Sequence, residues 1–233
     1  MNVLALDSSS KYFSLVIAKD DTIVSRIFEP YQRELSRKII PALSRALKKS
    51  GLSLKDIDCF GVGLGPGSFT GLRVGLAALK GLTFSLDRPG IAVASLDVIA
   101  NSVKSAGAKT AGIICPIIDA KRKLVYSAIY QLKNNCIQRK SKYLLVPLED
   151  LLARLKSRTK VLFLGDAIPL YGDIIRNKLG AGADFSGEDY WYPRPEILLS
   201  CVQNKIRDRE FADLDKIVPL YLYPKECQIN KIV

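Results

Sequence analysis

A glycine-rich stretch with the sequence GVGLGPGSFTGLRVG runs from residue 61 to residue 75. It continues from a short apolar segment, Cys59–Gly63, that is typical of a buried strand, and it opens an apolar helix predicted over Ser68–Leu86. Glycines at such a junction permit positive φ angles and close backbone approach. A helix N-terminus also attracts anions through its free N–H groups. The stretch therefore indicates either close packing of the helix or phosphate binding, and packing is the favoured interpretation.

Neither of two common nucleotide loops matches this stretch. The Walker A loop requires a lysine that is absent here, and the dinucleotide fingerprint requires a different glycine spacing at the start of a βαβ unit. The stretch is therefore not a standard nucleotide cradle.

The segments before it predict an antiparallel meander followed by a helix. Val3–Asp7, Tyr12–Lys19 and Thr22–Glu29 have strand composition, and a helical apolar stripe runs over about Gln32–Lys49. Pro41 lies inside that stripe and is expected to kink or split the helix.

The same layout starts again at residue 113. The segments LALDSSSKYFSLVI and PIIDAKRKLVYSAIY share an apolar run, an aspartate, a polar turn and a second strand, so that Asp7 matches Asp119. Internal duplication and two unrelated hairpins both explain this similarity. Duplication predicts two α/β lobes, residues 1–100 and residues 101–233 with the tail, and the second lobe has predicted helices over 147–158, 169–179 and 196–207.

The two aspartates are candidates for chemistry. Asp7 precedes Ser8-Ser9-Ser10 at the end of the first strand, where a carboxylate followed by hydroxyls can hold a metal-bound phosphate. The alternative, an Asx or ST turn that closes the hairpin, is favoured for Asp7 and equally for Asp119.

Composition excludes several classes of enzyme. The 233 residues include no histidine, which excludes Ser-His-Asp and Cys-His catalysis and histidine metal ligands. The five cysteines form no CxxC pair, and the N-terminus does not resemble a signal peptide, so a reduced, cytoplasmic location is expected. The formal net charge of +12 favours an anionic partner.

Two features indicate binding surfaces. Basic clusters at Lys121–Lys123 and at Lys133, Arg139, Lys140 and Lys142 are interleaved with tyrosines, which fits either a solvated face or RNA contact. The helix over Ser68–Leu86 is apolar on every side, so it must be covered by this chain or by a partner. A membrane span is disfavoured because Arg73, Lys80 and three glycines interrupt it.

Four segments in a fixed order resemble the TsaB (YeaZ) family. They are VLALDSSS, GVGLGPGSFTGLRVGLAALKGL, VASLD and IIDAKRKLVYSAIY, and they cover about the first 130 residues. The family belongs to the TsaD or glycoprotease-like (M22-like) superfamily. The resemblance implies an α/β fold of the actin, Hsp70 and sugar-kinase class (ASKHA), with two duplicated βββαβα-type lobes that contain mixed sheets.

The resemblance also implies a function. TsaB proteins are non-catalytic dimerisation subunits that pair with TsaD, work with TsaE and form homodimers when alone. The complex transfers threonylcarbamoyl from threonylcarbamoyl-AMP, the product of TsaC, to N6 of the adenosine next to the anticodon of ANN-decoding tRNAs (t6A). This chain is thus expected to be a required subunit without turnover of its own and without metal or cofactor. Weak ATP or ADP binding at the partner interface stays open, as does tRNA contact through the basic surface.

The resemblance assigns residues to two sites. The partner-binding residues on the two helices of the first lobe are Leu35, Ile39, Leu43, Leu72, Gly75, Leu76 and Leu79. The family motif, a degenerate phosphate loop, comprises Asp7, Ser8, Gly65, Gly67, Ser68, Thr70, Gly71, Arg73 and Asp119. The alternative function is a stand-alone ATPase or kinase that uses Asp7 and Asp119 around Mg²⁺. A peptidase is disfavoured because no nucleophile–base pair is present.

Overall fold

The computed structural model describes residues 1–31, 35–104, 112–155 and 160–223. The chain divides into two compact units. The first consists of Met1–Val98 and Pro193–Leu220, and the second consists of Ile99–Tyr192 and the residues from Tyr221 onward. The chain first passes from the first unit to the second between Val98 and Ile99, close to the predicted boundary at residue 100. It returns to the first unit at Pro193.

The first unit is built on a five-stranded mixed sheet. Its strands are β1 (Asn2–Asp7), β2 (Tyr12–Lys19), β3 (Thr22–Pro30), β4 (Cys59–Gly63) and β5 (Gly90–Val93), in the order β3-β2-β1-β4-β5. The first three strands form the predicted antiparallel meander, and β4 and β5 run parallel to β1. Because side chains alternate along a strand, Leu4 and Leu6 enter one core and Val3 and Ala5 enter another. Both faces of the sheet are therefore covered.

Two long helices cover the face that carries Leu4 and Leu6. They are α1 (Leu35–Ser50) and α2 (Phe69–Leu86), and both contribute leucines to the same core. The split expected at Pro41 does not occur, because Pro41 lies on the exposed side of α1, where water can satisfy the carbonyl group that lacks its usual N–H partner. The predicted start of this helix, residues 32–34, lies outside the described residues.

The opposite face of the sheet is covered by the short helix α3 (Ser95–Asn101) and by the last helix, α6 (Pro195–Arg207). Leu198 and Val202 of α6 pack in one core with β-strand residues such as Val16. The start of the returning segment is also fixed, because Ser14 Oγ donates a hydrogen bond to the Pro193 carbonyl oxygen. The prediction of a second lobe that runs unbroken from 101 to 233 is therefore corrected: without α6 this apolar face would be exposed.

The second unit repeats the topology of the first. Its strands are β6 (Gly112–Asp119), β7 (Leu124–Ser127), β8 (Tyr130–Lys133), β9 (Cys136–Arg139), β10 (Leu144–Pro147), β11 (Val161–Leu164) and β12 (Ala183–Phe185). The sheet order is β10-β7-β6-β11-β12, with β8 beside β6 and β9 beside β8. Thus β6 corresponds to β1, β11 to β4 and β12 to β5. The shared order confirms the α/β fold with two duplicated lobes.

The second and third strands of this repeat are interrupted. The second strand that the repeat predicts after its polar turn, over Val125–Leu132, is divided into β7 and β8 at Ile129, whose N–H donates to Ser141 Oγ at 2.9 Å. The helix predicted over 147–158 is shorter: α4 spans Leu148–Ala153, and residues 156–159 lie outside the described residues. The next helix, α5 (Ile168–Leu179), agrees with its prediction.

Removal of packing on α6 tests the assignment of that helix to the first unit. Leu198 is fully buried, so Leu198→Ala is expected to lower the free energy of unfolding by about 2–5 kcal/mol. Hydrogen exchange should show weaker protection of β1 and β2, which are nearly 200 residues away in sequence. Ser200→Ala, an exposed position on the same helix, serves as the control and should change little. Undiminished protection of β1 and β2 would contradict the assignment.

Candidate functional site

The candidate site is the turn after β1, where Asp7 is fully buried. One carboxylate oxygen, Oδ1, accepts hydrogen bonds from the Ser9 N–H at 2.8 Å and from Ser9 Oγ at 2.7 Å. The other, Oδ2, accepts from Ser95 Oγ at 2.6 Å. This is the Asx turn predicted for Asp7. Burial raises the pKa of the Asp7 carboxyl, and the hydrogen bonds from Ser95 and Ser9 oppose that rise.

The glycine stretch packs the start of α2 directly against the backbone of this turn. A Cβ atom on Gly67 would overlap the Ser9 carbonyl oxygen, and a Cβ on Gly71 would overlap that of Ser8. The Ser68 N–H donates to the Ser9 carbonyl at 2.7 Å. Ser8 Oγ, against which Gly75 lies, donates to the Gly71 carbonyl at 2.8 Å. The close packing predicted for the stretch is thus present, and it occupies the space beside the turn.

Two further side chains complete the network, and neither was assigned to it from the sequence. Tyr31 Oη donates to the Ser8 carbonyl at 2.8 Å, and burial raises the pKa of Tyr31 to about 12, so the phenol stays a donor. Ser95 lies in the VASLD segment, and its hydroxyl donates to Asp7 Oδ2 and accepts a hydrogen bond from the N–H of Gly65. Asp7 and Ser95 are 88 positions apart in the sequence. A local sequence pattern therefore cannot reveal the hydrogen bond between them.

The motif residues that the resemblance predicts in the first unit separate into two groups. Asp7, Ser8, Gly65, Gly67, Ser68 and Gly71 meet in this network. Thr70 and Arg73 lie instead on the exposed side of α2, where the Arg73 guanidinium is 3.9 Å from the centre of the Phe69 ring.

Asp119 occupies the matching position at the end of β6, in the second unit, but it has different partners. Its Oδ1 accepts from the Lys121 N–H at 2.9 Å, and its Oδ2 lies 2.5 Å from Lys121 Nζ. The hydrogen bond with Asp119 raises the pKa of Lys121. Asp166, which follows β11, accepts from the Asp119 N–H at 3.1 Å. An ammonium group therefore already neutralises this carboxylate, and within the described ranges no three Cys, Asp or Glu side chains converge as a metal site would require.

The seven residues predicted to bind a partner lie on the inward faces of α1 and α2. All seven are buried within this chain: Leu35, Ile39, Leu43, Leu72, Gly75, Leu76 and Leu79. Their assignment to a partner surface is corrected, because they pack against the sheet of their own unit. The outward faces carry a second apolar set, in which Ile40, Phe69 and Phe84 are 61%, 42% and 59% exposed. Because α2 is apolar on every side, its sequence alone does not show which side faces the sheet of its own unit.

None of the helices in the described ranges has the length and apolar character needed to cross a membrane.

A substitution at Gly71 tests the close contact between α2 and the turn. Gly71→Ala is expected to lower the free energy of unfolding by about 1–3 kcal/mol, because its methyl group meets the Ser8 carbonyl. Gly81→Ala, on the same helix with open space around it, should raise stability by about 0.5–1 kcal/mol. Urea unfolding of both variants measures the difference; equal effects would contradict the packing interpretation.

The buried carboxyl predicts a specific dependence of stability on pH. Because the pKa of Asp7 is raised in the folded protein above the ordinary value of 3.8, the folded state holds the proton to a higher pH than the unfolded state. The contribution of Asp7 to stability is therefore lost as pH rises from the unfolded-state pKa of Asp7 to its higher folded-state pKa. In Asp7→Asn this dependence disappears, so stability relative to the original protein should increase with pH above about 4. Parallel pH profiles of the two proteins in urea unfolding would contradict this expectation.

Comparisons with known proteins agree with the motif order. A family model described as TsaD, tRNA N6-adenosine threonylcarbamoyltransferase, matches residues 23–225. The tRNA threonylcarbamoyladenosine biosynthesis protein TsaB of Bacillus subtilis is 32% identical over 233 residues, which is 100% of this chain and 98% of the relative. The protein of the same description from Escherichia coli is 35% identical over 137 residues, 59% of this chain and 58% of the relative.

A solved structure, YeaZ from Pseudomonas aeruginosa, shares the fold. It superposes with a TM-score of 0.80 at 24% sequence identity and covers 95% of this chain and 99% of its own. The full-length similarity to the Bacillus subtilis protein, together with the motifs at the turn and on α2, leads to one conclusion: the chain belongs to the TsaB (YeaZ) family.

Proposed function

We propose that this chain is a non-catalytic scaffold subunit that pairs with TsaD in tRNA threonylcarbamoyladenosine biosynthesis. Family membership supports a role in that pathway. The observation that carries the finer proposal is the two-sided apolar character of α2. Its inward side is buried against the sheet, and its outward side leaves Phe69 and Phe84 exposed. In soluble proteins, large exposed apolar patches that are rimmed by polar residues mark surfaces for other proteins.

The outward side of α2 has a shape that suits helix packing. Thr70, Arg73, Ala77, Gly81 and Phe84 follow one another at intervals of three or four residues, so they form one ridge. Ala77 and Gly81 are small, and a Cβ at Gly81 would meet no atom within 4 Å. A partner helix can therefore approach closely in the middle of the ridge, between Arg73 on one side and the Phe84 ring on the other.

The first helix extends this surface. Both α1 and α2 lie on the same face of the sheet, and Ile40 and Pro41 are exposed on α1. We call the outward sides of α1 and α2 together the helical face. TsaD occupies the helical face in the complex, where TsaE joins the pair in the cytoplasm. A second copy of the chain occupies the same face when TsaD is absent.

The geometry of the two aspartates supports a subunit without turnover of its own. Both carboxylate oxygens of Asp7 accept hydrogen bonds inside the protein, and Gly67 and Gly71 bring α2 against the adjacent backbone. The carboxylate of Asp119 is paired with Lys121. An ATPase that used these aspartates around Mg²⁺ would first have to break the hydrogen bonds of Asp7 and the ion pair between Asp119 and Lys121. The alternative predicts magnesium-dependent heat on titration with ATP, whereas our proposal predicts none for the isolated chain.

A pair of variants with equal exposure tests the helical face. Phe84→Glu places a charge on a side chain that is 59% exposed on α2 and is expected to lower affinity for TsaD at least tenfold, because the carboxylate would be buried in an apolar interface. Leu170→Glu makes the same kind of change on α5, where Leu170 is 58% exposed, and should leave pairing intact. Surface-immobilised TsaD provides the measurement.

The buried positions provide a second control. Leu79→Glu would place a carboxylate in the core and is expected to unfold the first unit, which circular dichroism detects. Pairing that survives Phe84→Glu, or fails equally in Leu170→Glu, would contradict the helical face as the interface.

A further inference from the structure

The meander of the second unit carries positive charge without interruption. Residues 120–148 contain seven lysines and arginines and no aspartate or glutamate, so they account for seven of the twelve net positive charges of the chain. All seven side chains are exposed: Lys121, Arg122, Lys123, Lys133, Arg139, Lys140 and Lys142. We call these residues the basic meander.

The cations lie at the turns and along the outer edge of the second sheet. The first three form the turn between β6 and β7, Lys133 lies at the turn between β8 and β9, and the last three lie at the end of β9 and in the link to β10. Both β9 and β10 are at the edge of the sheet, since each pairs with one neighbour. From the first turn to Lys133 the chain can span at most about 33 Å.

The turn between β6 and β7 is held in a defined conformation. The backbone φ angles are 63° at Lys121, 53° at Arg122 and 61° at Lys123, values that residues other than glycine seldom adopt. Hydrogen bonds on both sides fix it: the Ala120 N–H donates to the Leu124 carbonyl at 3.0 Å, and Tyr223 Oη donates to the Ala120 carbonyl at 2.8 Å. Arg122 and Lys123 therefore extend into solvent from a backbone turn that hydrogen bonds hold in place, while Lys121 is paired with Asp119.

Most of these cations have no carboxylate partner within the described part of the chain. Among the residues that the structure describes, no Asp or Glu forms an ion pair with Arg122, Lys123, Lys133, Lys140 or Lys142. Lys140 Nζ instead donates to the neutral Gln138 Oε1 at 2.8 Å. The acidic residues that flank the stretch are Asp119, already engaged by Lys121, and Glu149 and Asp150 at the start of α4. Uncompensated like charges repel one another, and an anionic ligand relieves that repulsion.

We propose that the basic meander binds the phosphate backbone of the tRNA substrate. This inference rests on the proposed function, which supplies an RNA ligand, but it concerns a different surface from the helical face. A nucleic-acid duplex carries one phosphate charge per about 1.7 Å of its axis, so cations distributed along a sheet edge match such a polyanion better than a compact acidic patch. The Arg139 guanidinium, 4.2 Å from the centre of the Tyr143 ring, adds a flat cation–aromatic surface of the kind that RNA-binding sites use.

Two triple variants with the same change of charge test the proposal. The first is Lys123→Glu with Lys140→Glu and Lys142→Glu. The matched control is Lys19→Glu with Lys55→Glu and Lys178→Glu, three exposed lysines outside the basic meander. Fluorescence anisotropy with a labelled transcript of an ANN-decoding tRNA measures the affinity of the full chain, alone and with TsaD, at several salt concentrations.

The first variant is expected to bind the transcript at least tenfold more weakly, and the slope of log affinity against log salt should fall by about 2–3. The control should lose twofold or less. Equal losses in both variants would show a non-specific charge effect and overturn the proposal. Competition by polyglutamate as strong as that by unlabelled transcript would identify an acidic protein surface as the ligand and would also overturn it.

Light scattering with TsaD separates this inference from the proposed function. Both triple variants should still form the complex, because neither changes the helical face, and circular dichroism checks that both are folded. If the original chain does not pair with TsaD, the proposed function fails, while the transcript titration of the chain alone still decides the role of the basic meander.

Discussion

The first unit depends on one close contact, between the backbone at the start of α2 and the turn that follows β1. Gly67 and Gly71 make it feasible, because a side chain at either position would overlap the carbonyl oxygens of Ser9 and Ser8. Asp7 is buried in the same turn, and burial of a carboxylate is costly unless hydrogen bonds compensate for the lost water. Ser9 and Ser95 supply those bonds. Packing of α2, closure of the turn and the environment of Asp7 are thus a single arrangement.

The two units show how a duplicated topology can diverge. Both consist of a meander followed by two parallel strands, and both place an aspartate at the end of the first strand. In the first unit that aspartate is enclosed by hydroxyl groups and by a glycine-rich helix. In the second unit it is paired with Lys121 and leads into a turn of three basic residues. The first unit thereby has the helical face, for which we propose a protein partner, and the second has the basic meander, for which we propose an anionic ligand.

Local patterns in the sequence predicted much of this fold. Alternation and turn residues identified the meander, and the glycine stretch located α2, because these signals act over a few residues. The edge strands β10 and β12 were missed because they are short and little buried. The return of α6 to the first sheet and the bond between Ser95 and Asp7 were also missed, since both join distant parts of the chain. The prediction that the regular leucine positions of α1 and α2 face a partner was wrong. Periodicity identifies an apolar stripe on a helix but does not show whether the same chain or a partner covers it.

Pairing with TsaD through the helical face is the role that we propose for this chain. It is tested by co-purification with TsaD from the same organism, followed by light scattering on the purified product. We expect a complex with equal numbers of the two chains and no nucleotide turnover by this chain alone. A chain that elutes separately from TsaD under conditions in which both are folded would show that it is not a TsaD scaffold.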